Sequence, residues 1–165
     1  VDNFEVAMSG VKIASKILGL DPPEIRFYKD NSLTRKGINS MYIKESNTVA
    51  FDDTWIEIAE WIEIIIVCFH EVRHHFQYQI VNSMIESKEI IPSDTKEKWK
   101  FEITSYQQSN KTIETSSKYI EQSLEIDAIS FSYYMLKKLF GCEVHIPKQI
   151  IDQVKQYSEK FGKLY

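Results

Sequence analysis

Val67 to Gln79, "VCFHEVRHHFQYQ", is the stretch whose reading decides the fold. The chain has only four histidines, and His70, His74 and His75 all fall here, beside Glu71. His70 to His74 spells H-E-x-x-H, whose spacing has a physical reason. Residues four apart on a helix lie one above the other, so two imidazoles at 70 and 74 converge on one ion. Glu71 is turned about 100° away. It therefore stands beside the ion, where it can take a proton from water that a metal has made acidic. The apolar run Ile64 to Phe69 before the motif and Phe76 after it give this helix a surface to bury. An exposed helix with incidental histidines would lack that setting. The pattern predicts one zinc ion per chain, with His70 and His74 as ligands and Glu71 as catalytic base.

Arg73 departs from such motifs, whose two middle positions are usually uncharged; it is tolerable where it faces solvent or a carboxylate. His75 lies about 100° from His74 and reads as a polar neighbour rather than a ligand. A catalytic zinc takes three protein ligands and keeps one position open. Gln77 and Ile80 stand where a tight three-histidine arrangement would place its glycine and third histidine, which removes the metzincin pattern. Cys142 and His145 form a single C-x-x-H, a weak signal. The stronger candidates lie in "YIEQSLEIDAISFS", Tyr119 to Ser132. Helical spacing there puts Leu124, Asp127, Ala128, Phe131 and Met135 on one stripe, with Glu121, Glu125, Ile129 and Ser132 on the adjoining face. A carboxylate in an apolar stripe is costly unless paired or bound to metal. The residues alone leave Glu121, Glu125 and Asp127 open.

"HEVRH" followed some fifty residues later by "EIDAISFS" resembles small gluzincin-type zinc metallopeptidases, closest to the ImmA/IrrE-like proteases of bacterial chromosomes, phages and mobile elements. Their second motif is a helical E-x-x-A-x-x-F-A, matched here by Glu125, Ala128 and Phe131, with Ser132 in the last place. The resemblance covers roughly residues 49–132, and the two motifs carry nearly all of it. It implies Glu125 as third ligand, Ala128 as the small residue that lets two helices approach, and Asp127 orienting a ligating histidine. It also implies a hydrolase acting on narrow protein or peptide substrates, while the two cysteines suggest a reduced, cytoplasmic setting.

Outward from the motifs, the order of elements predicts an α+β fold, a minimal zincin-like arrangement with a small twisted sheet. Phe4, Ala7, Val11, Ala14 and Leu18 mark a helix stopped by Gly19 and "DPP". "EIRFYKD" reads as a strand, "NSLTRKGINS" as a loop, and "MYIKESNTVAFDD" as a hairpin about "ESN". Asn47 to Phe51 is the expected edge strand for an extended peptide. Residues 52–84 read as helical, capped by Asp53 or Thr54, with a break near Glu60. Further helices are expected from Ser93 or Asp94, over 116–140 to Gly141, and after Pro147.

One domain over residues 1–165 suits this length. A formal charge of -4 gives no basic field for nucleic acid. The longest apolar run falls far short of the roughly 20 residues a membrane span needs. No signal peptide is expected, and a start at Val1 suggests a piece of a longer protein. Two cysteines, Cys68 and Cys142, form no disulfide framework. Oxyanion stabilisation falls among Tyr133, Tyr134 and His75, with nothing in the sequence to choose between them. The alternative function is a zinc-stabilised interaction domain, for which Glu71 would be unnecessary.

Overall fold

The computed structural model describes residues 1–29, 33, 37–109 and 121–165, with side chains in the fourth helix only to residue 105. These residues are mostly helical with one small sheet, an α+β architecture. They divide into two compact units, Val1–Phe76 and Gln77–Tyr165.

In the first unit, α1 (Asn3–Leu18) starts where the Asp2 carboxylate accepts the Phe4 amide at 3.0 Å. It stops at Gly19, whose φ of 69° makes the left-handed turn that glycine takes without strain. Three strands follow: β1 (Glu24–Tyr28), β2 (Ser40–Ile43) and β3 (Thr48–Asp52). The expected hairpin forms, with β2 antiparallel to β3 around Asn47, whose φ of 49° suits an asparagine. β1 then pairs in parallel with the other side of β3, giving the order β1-β3-β2.

That order corrects one expectation. Asn47–Phe51 does not supply an edge; β3 is the centre of the sheet, and all five of its residues are buried. Its run "TVAFD" shows the near-continuous burial of a strand covered on both faces. Among the described residues β2 is an edge instead.

Asp52 ends β3 and caps α2 (Asp53–Ile58), its Oδ1 accepting the Trp55 amide at 3.0 Å. The cap is therefore one residue before the two expected. The break near Glu60 is present: Ala59 is extended (ψ 147°), and α3 (Trp61–Val81) starts after it. The Asn3 amide donates to the carbonyls of Ile56 at 2.7 Å and Ala59 at 3.0 Å, tying this bend to the start of α1. Ala7, Val11, Val49, Phe51, Ile64, Cys68, Phe69 and Val72 form the core of this unit. α1 and α3 meet at Gly10, where an added Cβ would lie 2.9 Å from Cys68 Sγ.

α3 continues into the second unit, which adds α4 (Ser93–Ser109), α5 (Ser123–Phe140), a 3₁₀ turn (Lys148–Ile150) and α6 (Ile151–Leu164). α5 stops at Gly141, in the left-handed conformation as expected. The expected first turns of α5, residues 116–120, lie outside the described residues. α6 packs on α5 through Phe131 and Phe161, whose rings are 5.7 Å apart. The same pair of helices encloses Ile126, Ile150 and Val154. The buried Glu89 carboxylate takes Lys160 Nζ at 2.9 Å and the Tyr165 hydroxyl at 3.1 Å, fastening α6 to the loop before α4.

Candidate metal centre

The motif residues 70–74 lie within α3, whose Ile64, Cys68, Phe69, Val72 and Phe76 are buried as the apolar run requires. Helical spacing brings the two imidazoles together: His70 Nε2 and His74 Nε2 are 3.0 Å apart, with their rings at 88°. Two imidazoles facing each other through Nε2 at this distance suit a shared proton or a shared cation. Two ring nitrogens on one tetrahedral zinc, at ~2.0–2.1 Å from it, stand about 3.3 Å from each other. The observed separation lies within a few tenths of an ångström of that value.

Glu125 completes the set. One ligand atom each from His70, His74 and Glu125 lie within 4.8 Å of one another, a group that could hold a metal ion. Two nitrogens and one carboxylate oxygen fit zinc as a donor set, and three protein ligands leave room for a fourth. Glu125 is buried, in the first turn of α5. That turn is held from outside the helix. Glu102 on α4 accepts the Ser123 amide at 3.0 Å, the Ser123 hydroxyl at 2.8 Å and the Leu124 amide at 3.0 Å. A carboxylate there answers both the free amides and the positive end of the helix.

The rival ligands fall elsewhere. Glu121 is exposed in the turn before α5, not one helical turn below Glu125. Asp127 is fully buried, and its Oδ2 accepts Gln77 Nε2 at 2.7 Å. Gln77 also donates to the Leu124 carbonyl at 2.9 Å. His145 is exposed, and the Cys142 thiol meets the Phe140 carbonyl. Both cysteines are free.

Glu71 is 6% exposed, and its Oε1 accepts the Ser40 hydroxyl at 2.8 Å. His75, one turn on, is also buried. Its Nε2 faces the Asp21 carbonyl at 3.2 Å and its Nδ1 meets the Tyr42 hydroxyl at 3.1 Å. A carbonyl only accepts, so the ring proton sits on Nε2. Burial pushes the His75 pKa down, against a smaller opposing pull from the Asp21 carbonyl. With both nitrogens engaged, His75 ties α3 to β2 and to the segment before β1.

The two tyrosines named for oxyanion stabilisation have packing partners in the second unit. Tyr133 lies on the Ile126–Val154 cluster and Tyr134 lies 6.1 Å from the Phe161 ring. Arg73 does not face solvent. It is fully buried, with its guanidinium 4.3 Å above the Phe76 ring. Sequence reading missed Ser40, Gln77 and Glu102, polar residues whose partners are 31, 50 and 21 positions away and leave no local pattern. Against known proteins, the chain matches no protein family, no curated protein and no solved structure.

Proposed function

We propose that this chain is a zinc-dependent metallopeptidase of the small gluzincin kind, hydrolysing peptide bonds in a narrow set of protein substrates. The observation that carries the reading is the approach of His70, His74 and Glu125 to within 4.8 Å, with Glu71 beside them in the motif. The resemblance of the two motifs to the ImmA/IrrE-like proteases supports it, as does the burial of Glu71. A zincin-like fold and a bacterial, mobile-element setting belong to the same proposal. So does the cytoplasm, where two free cysteines are at home.

Zinc in such a site acts as a Lewis acid and makes water a competent nucleophile near neutral pH. The protein supplies the rest. Glu71 takes the proton of the attacking water on its carboxylate and hands it to the departing amine. Ser40 already occupies Oε1, so Oε2 is the atom that carries this proton. The substrate is an extended peptide that adds to the edge of β2. Among the described residues no helix is long and apolar enough to cross a membrane, and a net charge of -4 does not attract nucleic acid.

The test is zinc per chain by elemental mass spectrometry on the wild type and Glu125→Ala, with Glu71→Gln as the catalytic control. Near-stoichiometric zinc in the wild type, lost in Glu125→Ala, is the expected result. Glu71→Gln should keep its zinc and lose hydrolysis by ~10²–10⁴-fold. Equal zinc in wild type and Glu125→Ala removes Glu125 from the ligand set. Biological activity that survives Glu71→Gln with zinc bound would make the chain a zinc-stabilised interaction domain.

A further inference from the structure

We infer that Ser40 is a positioning residue for Glu71, holding one carboxylate oxygen so that the other meets the reacting proton. The inference rests on the reading of Glu71 as the base. Its observation is a different one: a side-chain bond of 2.8 Å from the first residue of an edge strand to a carboxylate that is almost wholly buried.

The attachment has a register. Ser40 and Tyr42 are two apart on β2, so their side chains share a face, about 6.6 Å from each other. Glu71 and His75 are four apart on α3, so they share a face about 6 Å apart along the axis. The two spacings match, and Ser40 meets Glu71 where Tyr42 meets His75, at 2.8 and 3.1 Å. Strand and helix are thus joined at two points one helical turn apart. Ser40 cannot slide without carrying Tyr42 with it.

The strand is itself fixed, because Ser40 pairs with Phe51 and Tyr42 with Val49 in the buried central strand. A free glutamate side chain samples many rotamers, and holding one costs entropy in the reaction unless it is already ordered. The hydroxyl of Ser40 orders it beforehand. Ser40 also links the base to the substrate: it belongs to the strand proposed to receive the peptide. A peptide added there shares a residue with the group that fixes the base.

The experiment compares Ser40→Ala and Ser40→Thr with the wild type by three readouts. These are zinc per chain, the crystallographic position of the Glu71 carboxylate, and kcat and KM. The kinetic probe is the peptide that wild type cleaves best in a proteome-derived peptide library. Ser40→Ala should keep its zinc and its KM and lose roughly 10–100-fold in kcat, with the Glu71 carboxylate turned from its wild-type position. Ser40→Thr keeps the hydroxyl and should restore kcat.

An unchanged kcat, or a Glu71 carboxylate left in place in Ser40→Ala, overturns the inference. A loss of kcat that only follows a loss of zinc overturns it too, because that result marks a structural role. Should Ser40→Ala not fold, Ser40→Cys, a weaker donor of similar shape, is read in the same way. A wild type that holds no zinc or cleaves no peptide defeats the peptidase reading itself, and that failure shows before any variant is made.

Discussion

Cys68 lies where α1 crosses α3, its thiol directed at the Ala7 carbonyl 3.5 Å away. Burial pushes its pKa up, and the nearby charge of Glu71 adds to the effect. A thiol without solvent contact or thiolate character does not react. Iodoacetamide should therefore modify the folded protein once, at the half-buried Cys142, and twice in denaturant, as peptide mass mapping would show. Modification of Cys68 in the native protein would mean that α1 and α3 separate readily. Residues around it were legible to the extent that their role is local. His70 and His74 announce themselves by spacing alone. Arg73 did not: it lies over Phe76, three residues on along the same helix, but its full burial is set by the fold and not by that spacing.

Among the elements, the α1–α3 crossing turns on Gly10. Replacing it by alanine raises helix propensity by up to ~1 kcal/mol. The new Cβ would stand 2.9 Å from Cys68 Sγ, 3.0 Å from Cys68 Cβ and 3.1 Å from Ile65 Cδ1, all in the core. Overpacking of that kind costs ~1–3 kcal/mol, so it outweighs the gain. Gly10→Ala should lower stability by ~1–2 kcal/mol in denaturant titration, whereas a helix-propensity effect alone would raise it. Glu102 is the second test at this scale. Glu102→Ala removes the acceptor for the first amides of α5 and should cost about 1–2 kcal/mol, as lost caps do. Faster hydrogen exchange at Ser123 and Leu124 should accompany it, with weaker zinc binding, because Glu125 sits in that same turn.

The helices and the β2–β3 hairpin were readable because periodicity and turn chemistry act between near neighbours. The parallel pairing of β1 with β3 was not, since it joins residues 24 apart, with β2 lying between them in the chain. The unbroken apolar centre of "TVAFD" was the available sign that β3 is covered on both sides. The α5 start at Ser123 escaped as well, because its cap comes from α4 and not from the preceding residues. That displaced Glu121 from the helix and left Glu125 in its first turn.

For the molecule as a whole, the proposed zinc would be a source of stability as well as of chemistry. Zinc present at ~100 times its dissociation constant stabilises the folded state by about 2.7 kcal/mol. In a chain of this size each kcal/mol moves Tm by ~2–4 °C. Removing metal with EDTA should thus lower Tm by roughly 5–10 °C, and added zinc should restore it. Glu125→Ala should show no EDTA response, while Glu71→Gln should show the full one. Calorimetry of the three proteins, with and without EDTA, checks this directly. A wild type indifferent to EDTA would mean that no metal contributes to its folded state.

The three-stranded sheet also has unequal borders. β1 carries Glu24 and Arg26 in an exposed ion pair of 2.9 Å and is preceded by Pro22 and Pro23, the residues that discourage a further strand. β2, "SMYI", carries no charge along its length. On the peptidase reading, a substrate backbone would be disfavoured beside Glu24 and Arg26 and would meet no charge along β2, a choice of side made before any side chain is recognised.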